Sequence, residues 1–308
     1  MIKDFIDISD FSAQQLGGLL DRAIADKALF RAGKLIPTLP RKTLAMIFEK
    51  PSLRTRVSFE TAMSQLGGHA IYLTQADIGL GSREAVQDIA SVLARMCDGI
   101  MARAFSHELV LQLALHSPKP VINALTDYSH PCQAMADLMT ALECFGKLAG
   151  RTLAFIGDGN NVARSLASAC VKLGMRFILA CPAGYELEES FASALPPSGQ
   201  GRYAVIRDPL EAVAKADVIY TDTWVSMGQE SKKENRLRDF AGYQVNAELL
   251  KAAPPRAVVM HCLPAYRGRE ITDEVFDAHA RTILEQAENR LHFQRSLLNV
   301  LLGEGGIQ

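Results

Sequence analysis

The stretch Ser52-Leu53-Arg54-Thr55-Arg56 follows an apolar run at 43–48 and precedes a helical pattern at 57–66. The apolar run predicts a buried strand, and Pro51 supports a break between that strand and the helix. Backbone N–H groups at the start of a helix lack intrahelical partners and carry a positive partial charge. Two hydroxyl groups and two guanidinium groups at this point therefore predict a site for a phosphate or carboxylate group. The alternative is a capped helix with surface arginines, because many helices begin with Ser or Thr.

Apolar runs typical of strands alternate with helical patterns along the whole chain. The predicted strands are 43–48, 69–73, 98–103, 119–123, 152–156, 176–180, 203–206, 217–221 and 257–261. The predicted helices include 57–66, 85–97, 134–147, 161–173 and 209–215. This alternation predicts an α/β fold class with two parallel-sheet domains joined near 134–150. The long polar segment 226–247 predicts a loop that is functional or disordered.

Length and charge argue against several classes of protein. The 308 residues suit two domains of about 150 residues each. A net charge of −1 gives no bulk electrostatic reason to expect nucleic acid or a membrane surface as a partner. No apolar run approaches the roughly 18 residues of a transmembrane helix, and the acidic start of the chain does not resemble a secretory signal. We therefore expect a cytoplasmic protein with small-molecule substrates, no nucleic acid partner and no membrane partner.

Cysteine and histidine spacing predicts no metal site. The seven histidines show no H-x-x-x-H spacing, and the six cysteines form no C-x-x-C pair. Free thiols in a reducing compartment are the expectation for such a set. The cysteines are Cys97, Cys132, Cys144, Cys170, Cys181 and Cys262.

Chemically versatile residues follow the predicted strands. In open parallel sheets, ligands bind beyond the carboxyl ends of the strands. In the first half of the chain these residues are Ser52-Leu53-Arg54-Thr55, Arg103 and His130-Pro131-Cys132-Gln133. In the second half they are Gly157-Asp158-Gly159-Asn160-Asn161, Asp222-Thr223-Trp224 and His261-Cys262-Leu263-Pro264. Stability alone does not explain so many polar groups at strand ends, so we expect a binding or catalytic site.

These segments together resemble the aspartate/ornithine carbamoyltransferase family over essentially the whole chain. The matching motifs, in the family's order, are Phe48 to Glu60, His130 to Leu138, Asp158 to Ala163, Asp222 to Gly228, His261 to Ala265 and Glu288 to His292. The resemblance implies transfer of the carbamoyl group of carbamoyl phosphate to the δ-amine of L-ornithine. The products would be L-citrulline and phosphate, in arginine metabolism.

The resemblance also implies a domain arrangement. A carbamoyl-phosphate domain would comprise 1–133 plus 291–308, and an ornithine domain would comprise 134–290. The last helix, near 291–302, would cross back to the first domain. The family's catalytic unit is a homotrimer with sites between subunits, and the implied reaction needs no cofactor and no metal.

The phosphate of carbamoyl phosphate would lie at the start of the predicted helix that follows Ser52. Ser52, Arg54 and Thr55 match the family's phosphate cradle, and Leu53 would contribute its backbone N–H. Arg103 matches an arginine that adds a charge-assisted contact. Together with His130 and Cys262, Arg54 and Arg103 are the expected catalytic residues.

The carbamoyl group would be held by the His130-Pro131-Cys132-Gln133 segment. His130 and Gln133 match the residues that hold this group, and His130 would donate to the oxygen on which negative charge grows. Taken alone, His130 suits an ordinary core histidine. Arg290 matches a late arginine that reaches the same group.

The resemblance assigns a second set of residues to ornithine. This set consists of Asn161, Asp222, Ser226, Met227 and Cys262, whereas the backbone at Cys262 and Leu263 would face carbamoyl phosphate. Asp222 suits an ammonium group, and the Cys262 thiol would lie near the attacking amine. A covalent thioester at Cys262 is disfavoured because no paired base is evident. Cys262 is equally consistent with a small buried hydrophobic residue.

One position departs from the family pattern. Many relatives place a polar residue, often Gln or His, where this chain has Gly79, and that residue reaches the neighbouring subunit's site. Gly79 supplies no side chain, so the backbone, a water or Arg83 would replace the contact, or carbamoyl-phosphate affinity would be weaker.

Three alternatives remain open at this stage. Another acceptor is conceivable, and N-acetylornithine remains open. Aspartate is disfavoured because its enzymes lack the Ser-Met-Gly segment, and putrescine is disfavoured because it would not need Asp222. A nicotinamide-dependent dehydrogenase would explain Gly157-Asp158-Gly159, but Val162 occupies the third glycine position and no acidic residue follows the next strand. A catalytically inactive binding protein would require a lost catalytic residue, and only Gly79 points that way.

Overall fold

The structure, a computed structural model, describes residues 2–79, 84–195, 201–225, 231 and 233–303. The chain divides into two compact units, Met1–Met139 with Asn289–Gln308, and Thr140–Glu288. The domain boundaries expected from the sequence, after residues 133 and 290, stay a prediction.

The first unit is built on a parallel sheet of four strands in the order β2-β1-β3-β4. Its strands are β1 (Thr43–Phe48), β2 (His69–Thr74), β3 (Gly99–Arg103) and β4 (Val121–Leu125). A 3-10 turn, Ile8–Asp10, precedes the α-helices α1 (Ala13–Arg31), α2 (Leu53–Gln65), α3 (Gln75–Ile78), α4 (Val86–Met96), α5 (His107–His116) and α6 (Pro131–Phe145). The strands are almost wholly apolar because helices cover a parallel sheet on both faces. The core between sheet and helices includes Ile47, Ile89, Ile100, Val110 and Val121.

The second unit is built on a parallel sheet of five strands in the order β7-β6-β5-β8-β9. Its strands are β5 (Thr152–Ile156), β6 (Arg176–Ala180), β7 (Arg202–Ile206), β8 (Val218–Thr221) and β9 (Val258–His261). Its helices are α7 (Asn161–Lys172), α8 (Glu189–Ala194), α9 (Pro209–Val213), α10 (Lys233–Asp239), α11 (Ala247–Lys251) and the start of α12 (Asp273–Leu302). The order reverses at β5 and β8, so the turns after these two strands lie at the switch point where such sheets bind ligands.

The long helix α12 returns the chain to the first unit. Its residues from Asn289 onward belong to that unit. Lys27 Nζ on α1 donates to Asn289 Oδ1 at 2.7 Å, and Arg295 Nη1 donates to Gln65 Oε1 on α2 at 2.6 Å. The predicted α/β class with two parallel sheets and a returning C-terminal helix is thereby confirmed.

Two helix predictions from the sequence are wrong in extent, and one loop prediction missed a helix. Helix α2 begins at Leu53 rather than at 57, because its polar first turn carries no apolar periodicity. Helix α12 begins at Asp273 rather than near 291. The segment predicted as a loop at 226–247 contains α10, whose buried residue is Arg236 and not an apolar side chain.

Among the described residues, every helix is too short or too polar to cross a membrane. All six cysteines carry free thiols, and only Cys144 is exposed.

Candidate active site

The cluster Ser52 to Arg56 forms the capped start of α2. Ser52 is the N-cap residue with an extended backbone, and its Oγ accepts from Thr55 N–H at 3.3 Å. Leu53 is 75 % exposed, and its expected contact through the backbone N–H stays a prediction. The helix start thus lies directly after β1, where the positive end of the helix dipole favours an anion.

Thr55 is the point at which residues from distant parts of the chain meet. Its Oγ1 accepts from Ser52 Oγ at 3.1 Å. Arg103 Nη1, at the end of β3, lies 3.5 Å from the same oxygen. Arg290 Nη2, on α12, lies 3.4 Å from it. Ser52, Thr55, Arg103 and Arg290 therefore form one group in the first unit.

The guanidinium groups of Arg54, Arg103 and Arg290 repel one another. Burial, followed by the charges of Arg290 and Arg54, lowers the pKa of Arg103 to about 9. An arginine keeps its proton throughout the physiological range. We therefore interpret the lowered pKa as the cost of burying Arg103 beside two further cations, a cost that a bound dianion would relieve.

His130 is buried at the start of α6. Its carbonyl accepts from the N–H groups of Gln133 and Ala134 at 3.1 and 3.2 Å, and Pro131 occupies the first helical position, where no N–H is needed. Burial, then the charges of Arg290, Arg103 and Arg54, hold the pKa of His130 well below its usual range. The imidazole is thus neutral at pH 7 and can donate one hydrogen bond without adding a fourth positive charge.

Gln133 is held between two charged side chains. Arg290 Nη1 donates to Gln133 Oε1 at 2.6 Å, and Gln133 Nε2 donates to Asp137 Oδ1 at 2.8 Å. The neighbouring Cys132 donates its thiol to Asn123 O at 3.4 Å, and burial raises its pKa to about 12. Cys132 is therefore an unreactive thiol that packs the turn, and its expected substrate contact stays a prediction.

In the second unit, Asp222 follows β8 and has both carboxylate oxygens engaged. Oδ1 accepts from Thr223 N–H at 2.7 Å and from the Cys262 thiol at 2.9 Å. Oδ2 accepts from Asn160 Nδ2 at 2.8 Å. Asp222, Asn160 and Cys262 thus form one hydrogen-bonded group at the ends of neighbouring strands.

The Gly157-to-Asn161 turn is shaped by packing and by a helix cap. A Cβ on Gly159 would lie 2.7 Å from the backbone at Glu186 and Leu187, so that position requires glycine. Asn160 caps α7, since its Oδ1 accepts from Val162 N–H and Ala163 N–H at 3.0 Å. These roles account for the glycine-rich turn without a dinucleotide. Asn161, the predicted site residue, is the first residue of α7.

Asp158 in the same turn is tied to α10. Burial raises the pKa of Asp158 against the opposing effect of Arg236, which donates to the Asp158 carboxylate and to Trp224 O. Through these two contacts, Arg236 on α10 connects the turn before α7 with Trp224, which follows β8.

Cys262 and Leu263 lie in a turn directly after β9. Leu263 has a left-handed backbone with φ 60°, and its N–H donates to His261 Nδ1 at 2.9 Å. Ligand atoms of Asp222, His261 and Cys262 lie within 4.8 Å of one another, a spacing that could hold a metal ion. Both His261 nitrogens and the Cys262 thiol already make hydrogen bonds, so a metal would have to displace them.

The remaining residues predicted for the site are Gly79, Arg83, Ser226 and Met227. Gly79 ends α3 in the left-handed conformation with φ 63°, which explains glycine there, because a side chain would strain the backbone. Ser226, Met227 and Arg83 lie outside the described residues.

Sequence reasoning missed several residues that support the site. Asp137 and Gln294 each lie one helical turn after a predicted residue, Gln133 and Arg290, and this spacing could have found them. With its amide oriented so that both ends are satisfied, Gln294 accepts from Arg290 Nη2 at 3.0 Å and from Nε at 3.2 Å. The sequence prediction names Asn161 and not Asn160 as the site residue, although capping residues precede the first helical residue.

Comparison with known proteins places the chain in a family. Residues 3–143 match the carbamoyl-P binding domain, and residues 149–301 the Asp/Orn binding domain, of aspartate/ornithine carbamoyltransferases. The chain is 48 % identical over 302 residues to the ornithine carbamoyltransferase of Methanosarcina acetivorans, covering 98 % of this chain and 100 % of that protein. The protein therefore belongs to the aspartate/ornithine carbamoyltransferase family.

Solved structures give the same assignment. The ornithine carbamoyltransferase from Pyrococcus furiosus superposes with a TM-score of 0.94 at 46 % identity, covering 99 % of this chain and 98 % of that one. The anabolic ornithine carbamoyltransferase from Campylobacter jejuni superposes with a TM-score of 0.91 at 38 % identity, covering 97 % of this chain and 99 % of that one.

Proposed function

We propose that this protein transfers the carbamoyl group of carbamoyl phosphate to the δ-amine of L-ornithine, forming L-citrulline and phosphate. The observation that carries the proposal is the group at the start of α2. There Arg103 and Arg290 approach Thr55, and the charges of these arginines and of Arg54 act on a neutral His130. Few substrates other than a phosphate dianion with an attached planar group suit three guanidiniums beside an uncharged donor.

The chemistry assigns a role to each residue of the first unit. Ser52, Thr55 and the backbone N–H groups of the first turn of α2 bind the phosphate, and Arg54 and Arg103 neutralise its charge. His130 donates to the carbamoyl oxygen. Gln133, oriented by Arg290 and Asp137, binds the carbamoyl amide.

The reaction then follows from orientation and electrostatics. The δ-amine must be deprotonated, because an ammonium group has no lone pair. It attacks the carbamoyl carbon, and His130 with the arginines stabilises the oxyanion of the tetrahedral intermediate. The C–O bond to phosphate breaks, and the leaving phosphate takes the amine proton. No cofactor is required, because the carbamoyl group is already activated.

The second unit supplies the groups that recognise ornithine. Asp222 binds the α-ammonium group, with Asn160 and Cys262 holding its carboxylate in place. Asn161, Ser226 and Met227 belong to the same proposed site, whereas Leu263 offers its backbone to carbamoyl phosphate. Anabolic relatives from Pyrococcus furiosus, 47 % identical, and Campylobacter jejuni, 38 % identical, support a role in arginine synthesis.

Assembly and location are also proposals. The family resemblance favours a cytoplasmic homotrimer, and an apolar strip on α2 supports self-association, since Leu53 is 75 % and Val57 51 % exposed. Sedimentation equilibrium should give the mass of three chains, each of 33.6 kDa. A mass of one or two chains would contradict the trimer.

The activity is tested by phosphate release from carbamoyl phosphate with and without ornithine. A carbamoyltransferase releases phosphate in an ornithine-dependent manner and in a one-to-one ratio with citrulline. A binding protein would release none, and a dehydrogenase would change nicotinamide absorbance instead.

Arg103→Gln should weaken carbamoyl-phosphate binding without destabilising the unliganded protein. The KM for carbamoyl phosphate should rise about thirtyfold, because a buried charge-assisted hydrogen bond is lost. Thermal unfolding without ligand should occur at an equal or higher temperature, because one of three mutually repelling cations is removed. A lower unfolding temperature together with an unchanged KM would contradict this account.

Asp222→Asn should raise the KM for ornithine about tenfold or more and leave the KM for carbamoyl phosphate within about twofold. The variant loses the negative charge that binds the ammonium group but keeps its shape. Asp217→Asn, at the start of β8, is a matched control, because that carboxylate pairs with Arg151 and lies at the opposite end of the strand. Equal effects of the two substitutions on the KM for ornithine would contradict the assignment.

A further inference from the structure

The turn after β9 contains a histidine whose two ring nitrogens have different partners. His261 Nδ1 lies 2.9 Å from Leu263 N, and Nε2 lies 3.2 Å from Glu270 Oε1. His261 and Glu270 are both fully buried. This histidine stood out in the sequence as part of the His-Cys-Leu-Pro motif, but the proposed reaction gives it no task.

The partners determine which nitrogen carries the proton. A backbone N–H can only donate, so Nδ1 must be the acceptor and carry no hydrogen. Nε2 therefore carries the hydrogen and donates to the Glu270 carboxylate. Glu270 Oε1 also accepts from Tyr266 N–H, which fixes the carboxylate in turn.

The backbone on both sides of the ring is also fixed. His261 N–H donates to Gln286 Oε1 at 2.9 Å, and Gln286 Nε2 donates to Tyr220 Oη at 3.3 Å. Leu263 has φ 60°, a conformation that is unfavourable for a leucine unless its surroundings impose it. The N–H of this same residue donates to His261 Nδ1.

We propose that His261 and Glu270 are a positioning pair for the proposed ornithine site. Glu270 holds the imidazole in the Nε2–H tautomer, Nδ1 then holds Leu263 in the left-handed conformation, and the turn places the Cys262 thiol 2.9 Å from Asp222 Oδ1. His261 acts through the turn and touches no substrate. The consequence for ornithine rests on the proposed function, whereas the tautomer does not.

Two amide substitutions separate the functions of the ring nitrogens. Asn places an oxygen near the position of Nδ1 and can accept from Leu263 N–H, whereas Gln places its amide near Nε2 and reaches Glu270 only. We expect His261→Asn to keep kcat/KM for ornithine within about fivefold of the unmodified enzyme. His261→Gln should lose about thirtyfold or more, because a buried N–H has no acceptor.

The unfolding temperatures of His261→Asn and His261→Gln provide the matched comparison. A purely structural histidine predicts that activity follows unfolding temperature in both variants. The proposal predicts a larger activity loss in His261→Gln even where the two variants unfold at similar temperatures, with the KM for carbamoyl phosphate unchanged in both. Equal losses, or the reverse order, would overturn the positioning role.

Nitrogen-15 NMR of the histidine side chains tests the tautomer without any activity measurement. The His261 signals, assigned by their absence from His261→Asn, should show a pyridine-type Nδ1 and a pyrrole-type Nε2. In Glu270→Gln, the Nε2 signal should shift, because its acceptor becomes a neutral amide oxygen, while Nδ1 stays pyridine-type because it still accepts from Leu263 N–H. A pyrrole-type Nδ1 in the unmodified protein would overturn the inference even if citrulline is formed. If the tautomer is as expected but no citrulline forms, the proposed function fails instead.

Discussion

Arg54→Ala is expected to lower kcat by about a thousandfold while the protein stays folded. Arg54 lies in the first turn of α2, close enough to Arg103 and His130 for its charge to lower the pKa of both. A cation at this point stabilises both the leaving phosphate and the oxyanion, and removal of one such preorganised group costs about two to three orders of magnitude. Steady-state kinetics with saturating substrates, together with circular dichroism, measures the effect.

Arg56→Ala is the matched control for Arg54→Ala. Arg56 lies on the same helix, pairs with Glu60 at 2.9 Å and packs over the ring of Tyr72. Because these contacts are at the surface, we expect kcat to change less than about twofold and stability by less than about 1 kcal/mol. Near-normal activity of Arg54→Ala, or an equal loss in Arg56→Ala, would contradict the assignment of Arg54.

His130→Ala is expected to lower kcat about a hundredfold with little change in the affinity for carbamoyl phosphate. A neutral imidazole contributes little to binding a dianion, but it donates to the oxygen on which charge develops. His116→Ala is the control, because His116 is bonded only to Gln112 among the described contacts at the C-terminal end of α5. If the KM for carbamoyl phosphate rises while kcat is unchanged, His130 would instead be assigned to binding of the ground state.

The lowered pKa of His130 determines whether the stability of the protein rises or falls as the pH is lowered. Because the folded protein holds this pKa well below the usual 6.5, the unfolded chain binds a proton at His130 that the folded protein does not. The resulting loss of stability appears as the pH falls through about 6.5 and is absent above it. Urea unfolding at a series of pH values should show a smaller acid-side loss in His130→Ala than in the unmodified protein. The pH–rate profile near neutrality should show no step from His130.

Much of the fold could be predicted because its strands are apolar runs bounded by polar turns. The strands Thr43–Phe48, Thr152–Ile156 and Arg176–Ala180 have the bounds that the sequence pattern gives them. The proposed anion site at Ser52 could be predicted for a similar reason, because its residues are neighbours in the chain. The short helix α10 was not predicted, because its buried face consists of Arg236 held by polar contacts rather than by apolar packing.

The rest of the site depends on contacts that the sequence does not encode locally. Thr55 and Arg290 are 235 positions apart, and only the return of α12 brings them together. The bond from Asn160 to Asp222 spans 62 positions and requires the adjacency of β5 and β8. The sequence shows that Gly79 lacks the side chain that many relatives have, but only the structure shows that its backbone is left-handed.

The most direct test of the central claim is product formation from carbamoyl phosphate with a panel of acceptors. The panel contains ornithine, N-acetylornithine, putrescine, aspartate and lysine, and both phosphate and the ureido product are measured. We predict citrulline from ornithine and no comparable turnover with the other acceptors. Turnover with another acceptor in preference to ornithine would contradict the assigned role of Asp222, and no turnover with any acceptor would contradict carbamoyl transfer itself.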